Sequence, residues 1–216
     1  MKKQLLIGIF LLLPALYAGD INKVDNEVKN RWFMELGYQT SIETMNGSFD
    51  STYIVDSLNS GGSGTSWSGL TDNLYVKIGR NFEIFSNYEL SPSIGFVEAT
   101  LLADDYHNDA ITFELPLFVK TKIFNKNVKI GPAFKYIYYP SNSYNDNEGE
   151  VSFGTQNAFA YGIQSLWGKG NSKFSLGIEN LNSANDSATN MISTSRLKAK
   201  ANMDGLYLNM GLHIGF

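Results

Sequence analysis

The C-terminal stretch from Gly205 to Phe216 constrains the fold more than any other part of the chain. Leu206, Leu208, Met210, Leu212, Ile214 and Phe216 are apolar and two apart, while Tyr207, Asn209, Gly211, His213 and Gly215 fill the places between them. Successive side chains of an extended backbone point to opposite sides, so a period of two marks a strand with one apolar face and one small or polar face. Any fold containing this stretch must give the first face an apolar environment and the second a polar one.

No segment of the mature chain is apolar over the ~20 residues that a spanning helix requires. Any membrane insertion must therefore be by strands, which in a closed barrel also satisfy their own backbone polar groups. The one strongly apolar run, Leu5 to Leu13, is shorter than a span; it follows Lys2 and Lys3 and leads into Ala15, Ala18, Gly19 and Asp20. Charged, apolar, then small is the order of a secretory signal peptide. The expected division is a signal peptide over 1–18 cleaved near Ala18, a polar periplasmic lead-in over 19–30, and a strand-built unit over 31–216. The 14 Phe, 12 Tyr and 20 Gly favour aromatic-rich strands with small in-facing residues, and the absence of Cys excludes disulfides, thiolate metal sites and a lipoprotein anchor. A formal net charge of −4 leaves no basic footprint for nucleic acid.

Seven further strands precede the last. The first, from Arg31 to Ile42, turns Trp32, Met34, Leu36, Tyr38 and Ile42 outward and Arg31, Phe33, Glu35, Gly37, Gln39 and Ser41 inward. The second carries Leu74, Val76, Ile78, Phe82 and Ile84, then breaks at Ser86 and Asn87. The third, Tyr88 to Leu102, shifts its apolar parity from Leu90, Ile94 and Phe96 to Val97, Ala99 and Leu101, which predicts a β-bulge near Phe96. The fourth spans Ile111 to Ile123, and the fifth alternates Val128, Ile130, Phe134, Tyr136 and Tyr138 with Lys129, Gly131, Ala133 and Lys135. The sixth carries Phe153, Phe159, Tyr161, Ile163 and Trp167 outward; the seventh carries Phe174, Leu176 and Ile178. FNKN and GKGN are tight links, whereas SLNSGGSGTSWSG, ADDYHNDA, SNSYNDNEGE and the Ser/Asn/Thr-rich stretch near Asn185 read as long polar loops, the first of them flexible from its Gly and Ser content.

Long and short connections thus alternate, as in membrane barrels with short periplasmic turns and longer outer loops. Charge placement agrees. Arg or Lys facing mid-membrane lipid costs roughly 2–4 kcal/mol, and Glu35, Lys77, Glu83, Glu114, Lys120, Lys122, Lys129, Lys135 and Glu179 all take the inward parity. Arg80 and Glu98 do not, and their register requires a bulge or, for Arg80, a reach to the headgroups. Trp32, Phe85, Tyr88, Phe124, Trp167, Phe174 and Phe216 gather at the ends assigned to the periplasmic side, forming an interfacial aromatic girdle.

On the signal-like N-terminus, the strand alternation, the loop asymmetry and the terminal Phe216, the chain resembles the small OmpA/OmpX-type bacterial outer-membrane β-barrels over 31–216. The resemblance implies an all-β fold, a transmembrane antiparallel up-and-down barrel of about eight strands in a Gram-negative outer membrane. It further implies contact with outer-membrane lipid and lipopolysaccharide, and an assembly signal at Leu212, Ile214 and Phe216 read by the barrel-insertion machinery. Nothing in the motifs selects a subfamily.

Three function classes fit such a barrel: a non-enzymatic protein whose surface loops serve contact, adhesion or envelope structure, with an extracellular ligand at the loops; a lipid A-modifying enzyme; and a narrow porin-like channel. Eight strands enclose a lumen that side chains can fill, so the inward charges read as a salt-bridged plug in preference to a pore. The loops carry Asp50, Asp56, Asp104, Asp105, Asp109, Asp146, Glu148 and Glu150, an acidic outer surface. His107 lies among Asp104, Asp105 and Asp109, but without the ordered ligand spacing of a calcium loop it reads as part of a solvated loop. His213 has inward parity with Gly211 and Gly215 beside it, where an activated nucleophile would need a hydroxyl. No catalytic, cofactor-binding or metal-ligating residue is assigned.

Overall fold

The computed structural model describes residues 32–42, 45–55, 59–69, 71–85, 87–101, 106–146, 149–152, 154–183, 186–192, 195–202 and 204–216. Residues 1–18 and 19–30, Arg31 and Phe153 lie outside them. Fifteen strands occur in chain order: β1 Trp32–Ser41, β2 Met45–Val55, β3 Asn59–Gly69, β4 Thr71–Arg80, β5 Phe82–Phe85, β6 Tyr88–Leu90, β7 Ser93–Leu101, β8 Tyr106–Ile123, β9 Lys126–Asp146, β10 Gly149–Ser152, β11 Gln156–Trp167, β12 Ser172–Ser183, β13 Asp186–Ile192, β14 Ser195–Asn202 and β15 Gly205–Gly215. Antiparallel pairing runs β1–β4–β7–β8–β9–β11–β12–β15 and returns from β15 to β1, which closes an eight-stranded barrel. The short β5 and β6 prolong β4 and β7 past breaks at Asn81 and at Ser91–Pro92. Closure removes every edge from the barrel wall, so all eight strands find partners on both sides.

Alternation is the reason these residues fold this way. Along β1 exposed Trp32, Met34 and Leu36 alternate with buried Phe33, Glu35 and Gly37, and the other barrel strands repeat the pattern. The outside is apolar, with Val76, Ile78, Ile94, Phe134, Ile163 and Leu212 exposed, while Lys77, Glu114, Gln164 and Glu179 are buried inside. That inversion of a water-soluble protein suits a wall in contact with lipid.

At the end where the short turns lie, Trp32, Phe85, Tyr88, Phe124 and Phe216 are exposed, and Trp167 and Phe174 are half-buried cross-strand partners. The Phe216 amide donates to the Trp32 carbonyl at 3.0 Å, seating the last residue on the first strand. A second aromatic row, which alternation alone does not reveal, crosses the outer wall higher up: Phe113, Tyr136 and Phe159, with ring centroids 6.2 and 5.3 Å apart. Phe159 stands eight residues above Trp167 on β11. At about 3.3 Å per residue and a tilt near 40°, that is about 20 Å along the barrel axis, close to the height of a lipid-facing band.

Those two rows explain the residues that depart from the expected register. There is no bulge near Phe96: β7 pairs with β4 and with β8 without a shift, and Glu98 is exposed on the outer parity opposite Leu74 and Asp109. Ile94 pairs with Phe113, so Glu98 lies four residues beyond the upper aromatic row, where an outward carboxylate meets headgroups or water. Sequence parity changes at Val97 because the environment changes, not the register. Arg80 also keeps its register opposite Trp32; its guanidinium lies 5.6 Å from the Trp32 ring and 5.2 Å from that of Phe82, at the level of the lower girdle. The wall does shift between Asp109 and Ile111 against β9, where Pro140 has no N–H to give the ladder.

The expected flexible loop is a strand. SLNSGGSGTSWSG supplies β3, paired residue by residue with β2, and the Ser/Asn/Thr-rich stretch supplies β13 and β14. Pairing of β14 with β2 joins both hairpins into a four-stranded sheet, β13–β14–β2–β3, outside the barrel wall. This follows from neighbourhood: the connection after β1 and the connection before β15 leave adjacent staves. Likewise Tyr106–Ala110 of ADDYHNDA continues β8, and SNSYNDNEGE enters β9 and β10.

Candidate functional site

The lumen is occupied by its own side chains. Phe33 stacks on His213 with centroids 4.4 Å apart, and above them Glu35, 1% exposed, gathers three partners. The Tyr75 hydroxyl donates to Glu35 Oε1 at 2.8 Å; Lys77 Nζ lies 3.2 Å from the same oxygen; His213 Nδ1 is 3.2 Å from Oε2. Lys77 Nζ also donates to Glu114 Oε2 at 2.7 Å, so one cation bridges carboxylates three staves apart in the wall, on β1 and β8. Tyr75 reaches across only because its neighbours are small: a Cβ at Gly37 or Gly211 would collide with the ring or hydroxyl of Tyr75.

A second cluster lies toward the outer sheet. Glu179 Oε1 accepts from Lys135 Nζ at 2.8 Å and from Gln39 Nε2 at 2.6 Å, and Asn73 Nδ2 donates to Gln39 Oε1 at 3.0 Å. A third lies toward the short turns, where Lys129 Nζ is 2.7 Å from both oxygens of Glu89 and Ser91 Oγ donates to Glu89 at 3.3 Å. At the mouth itself, Lys120 pairs with the more exposed Glu83 at 3.0 Å.

Of the nine residues expected in a luminal charge network, Glu35, Lys77, Glu114, Lys135 and Glu179 line the interior, Lys129 lies lower in it, and Glu83 and Lys120 sit at the mouth. Lys122 departs from the expectation: it is exposed at the end of β8, where the wall no longer encloses the inward face. Glu89 is the luminal carboxylate the sequence reading passed over, although its place between Tyr88 and Leu90 gives it the inward parity. His107 has its backbone in β8, opposite Thr100 and Ser143, not in a loop. Leu212 and Phe216 are exposed and Ile214 half-buried, all on the outer parity. Backbone positions of Asp50, Asp109, Asp146 and Glu150 fall in strands, while Asp56, Asp104, Asp105 and Glu148 lie outside the described residues.

Chemically, this interior is a plug of opposed charges. His213 and Glu35 resemble a base held by a carboxylate, yet no hydroxyl side chain bonds His213 among the described residues, and the pair lies inside the wall, away from lipid. Among the described residues no group of three His, Cys, Asp or Glu is placed to hold a metal ion.

Eight closed strands, an apolar wall between two aromatic rows and a packed polar lumen define a small transmembrane-type antiparallel β-barrel, the architecture that the resemblance to OmpA/OmpX-type barrels implies. No family model and no curated protein matches the chain. Among solved structures it is similar to Neisserial surface protein A, at 8% identity over 86% of this chain and 97% of that one with a TM-score of 0.48. It is also similar to OprG from Pseudomonas aeruginosa, at 10% identity over 90% and 99% of the two chains with a TM-score of 0.47. A third similarity is to Ail of Yersinia pestis, at 10% identity over 87% and 100% with a TM-score of 0.30.

Proposed function

We propose that the protein is a non-enzymatic surface-recognition barrel, in which a plugged stave wall holds a β-sheet platform outside the membrane. The observation that carries this reading is the joining of two separate connections into the sheet β13–β14–β2–β3, above a lumen crossed by Lys77 between Glu35 and Glu114. A paired sheet presents a surface of fixed shape, which lowers the ordering cost of binding. The sheet itself carries Arg196, Lys198 and Lys200 beside Asp50 and Asp186, whereas the connections of β8, β9 and β10 carry Asp109, Asp146 and Glu150, whose charge favours encounter with basic partners and weakens with salt.

In this reading residues 1–18 are a cleaved export signal, 19–30 a periplasmic lead-in and 31–216 the barrel. The short turns face the periplasm, the sheet faces outward amid lipopolysaccharide, and Leu212, Ile214 and Phe216 form the signal for the barrel-insertion machinery. The test is to shorten the connection at 45–69 and compare cells carrying either form for adherence to immobilised matrix proteins and glycans, with planar-bilayer conductance of the purified proteins. The shortened form should stay inserted and heat-modifiable, conduct little, and lose adherence. Unchanged adherence, or large ion-selective conductance of the full chain, would refute the proposal.

A further inference from the structure

The short-turn end of the barrel carries a feature that the plug and the outer sheet do not use. Between the ends of β8, β9, β11 and β12 lies a cavity of about 240 Å³ whose wall includes Lys120, Lys122, Lys129, Lys169 and Lys173, with buried Leu166 and no carboxylate in its lining. Two of these lysines face each other: Lys120 and Lys129 are direct cross-strand partners on the inward side. Like charges directly opposed across a strand pair are unfavourable, and the nearby acids offset only part of them, Glu83 at Lys120 and Glu89 at Lys129. Lys173 donates to the Gly170 carbonyl at 2.8 Å, which fixes its ammonium beside the turn. Lys122 and Lys169 have no carboxylate partner among the described residues, and both are exposed at the cavity's open side.

We infer that this cavity is a binding site for a compact phosphate-bearing anion of two or more charges. With Lys120 and Lys129 each held by one carboxylate, Lys122 and Lys169 leave two ammonium charges without a carboxylate partner among the described residues around one small volume. Ammonium groups are compact point charges that gather around phosphate oxygens without demanding planar geometry. The site opens where Lys122, Lys169 and Gly170 are exposed, so the ligand enters from the solvent at the short-turn mouth. Free phosphates and the headgroups of anionic lipids at the rim share this chemistry.

The test uses the full mature chain, refolded in nonionic detergent at low salt and titrated calorimetrically with inorganic pyrophosphate. Saturable binding that weakens with salt is expected. Lys122→Gln with Lys169→Gln should weaken it about thirtyfold, taking two lost solvent-exposed charge contacts at the dielectric of bulk water, while Lys126→Gln, outside the lining, should not. Heat-modifiability on gels establishes that each variant is folded. Repeating the titration in nanodiscs distinguishes the sources. Weaker pyrophosphate binding in phosphatidylglycerol than in phosphatidylcholine discs, with the difference abolished in the double variant, assigns the site to lipid headgroups; equal binding assigns it to free phosphates. No saturable binding at millimolar pyrophosphate, or equal loss in Lys126→Gln and the double variant, overturns the inference.

Discussion

Lys77 is the cation on which the middle of the plug depends, and Lys77→Ala is the perturbation that tests it. Its Nζ lies 3.2 Å from Glu35 and 2.7 Å from Glu114, with side chains 7%, 1% and 6% exposed respectively. At an effective dielectric of about 20, Coulomb's law gives about 5 and about 6 kcal/mol for those separations. Desolvation of three ions offsets most of that attraction, so the intact triad adds little net stability. Truncating the cation is different, because the desolvated carboxylates remain: Glu35 keeps Tyr75 and His213, but Glu114 keeps no cation among its described bonds. A loss of about 3–5 kcal/mol is expected. The assay is urea unfolding of refolded protein in lipid vesicles, followed by tryptophan fluorescence and extrapolated linearly. Lys77→Met combined with Glu35→Gln and Glu114→Gln strands no charge and should regain most of the loss. A loss under about 1 kcal/mol for Lys77→Ala, or a triple variant no better than the single, would show that lumen water already solvates these carboxylates and that the plug is not dry.

Three other outcomes follow from the same geometry. Gly37→Leu drives a side chain into Tyr75 and should cost about 1–3 kcal/mol in the same unfolding assay, whereas Leu36→Val on the lipid face should cost less. Cysteine placed in the GGSG stretch or near Asn185 should react with an impermeant thiol reagent on whole cells, and cysteine at Lys169 should not; reversed labelling would invert the topology. Phe216→Asp should reduce membrane insertion while Phe216→Tyr is mild, and normal insertion of the Asp variant would remove the terminal residue from the assembly signal.

The wall was legible because lipid outside and charge inside impose the same period of two on every stave. Parity placed Glu35, Lys77, Glu114, Lys135 and Glu179 on one side of the sheet without any knowledge of contacts. It could not say which lysine meets which carboxylate, since that depends on which staves face one another across the lumen. Glu114 is the cross-strand neighbour of Lys135 yet bonds Lys77, and Lys135 bonds Glu179. Parity also fails at strand ends, where the two environments stop being lipid and lumen. Val97 and Glu98 look like a bulge on a uniform stave and like an ordinary stave emerging from the membrane once the upper aromatic row is located.

The outer sheet escaped detection for a related reason. Gly and Ser in SLNSGGSGTSWSG weaken any local strand preference, and glycine in a strand lowers its stability. What makes β3 a strand is β2 beside it, and what places β2 is β14, which arrives from the other end of the sequence. Barrel closure brings β1 against β15, and it thereby brings their outward connections together at no further cost in loop closure. The surface on which recognition is proposed to occur is consequently a product of the barrel topology. Circular permutation that opens the chain at 185, removes residues 1–31 and joins Phe216 to Trp32 through a short link keeps β1 beside β15 and should preserve the sheet. Excising the β13–β14 hairpin should instead release β2 and β3 from their only described anchor, and protease cleavage within 45–69 of the inserted protein should rise sharply in that variant alone.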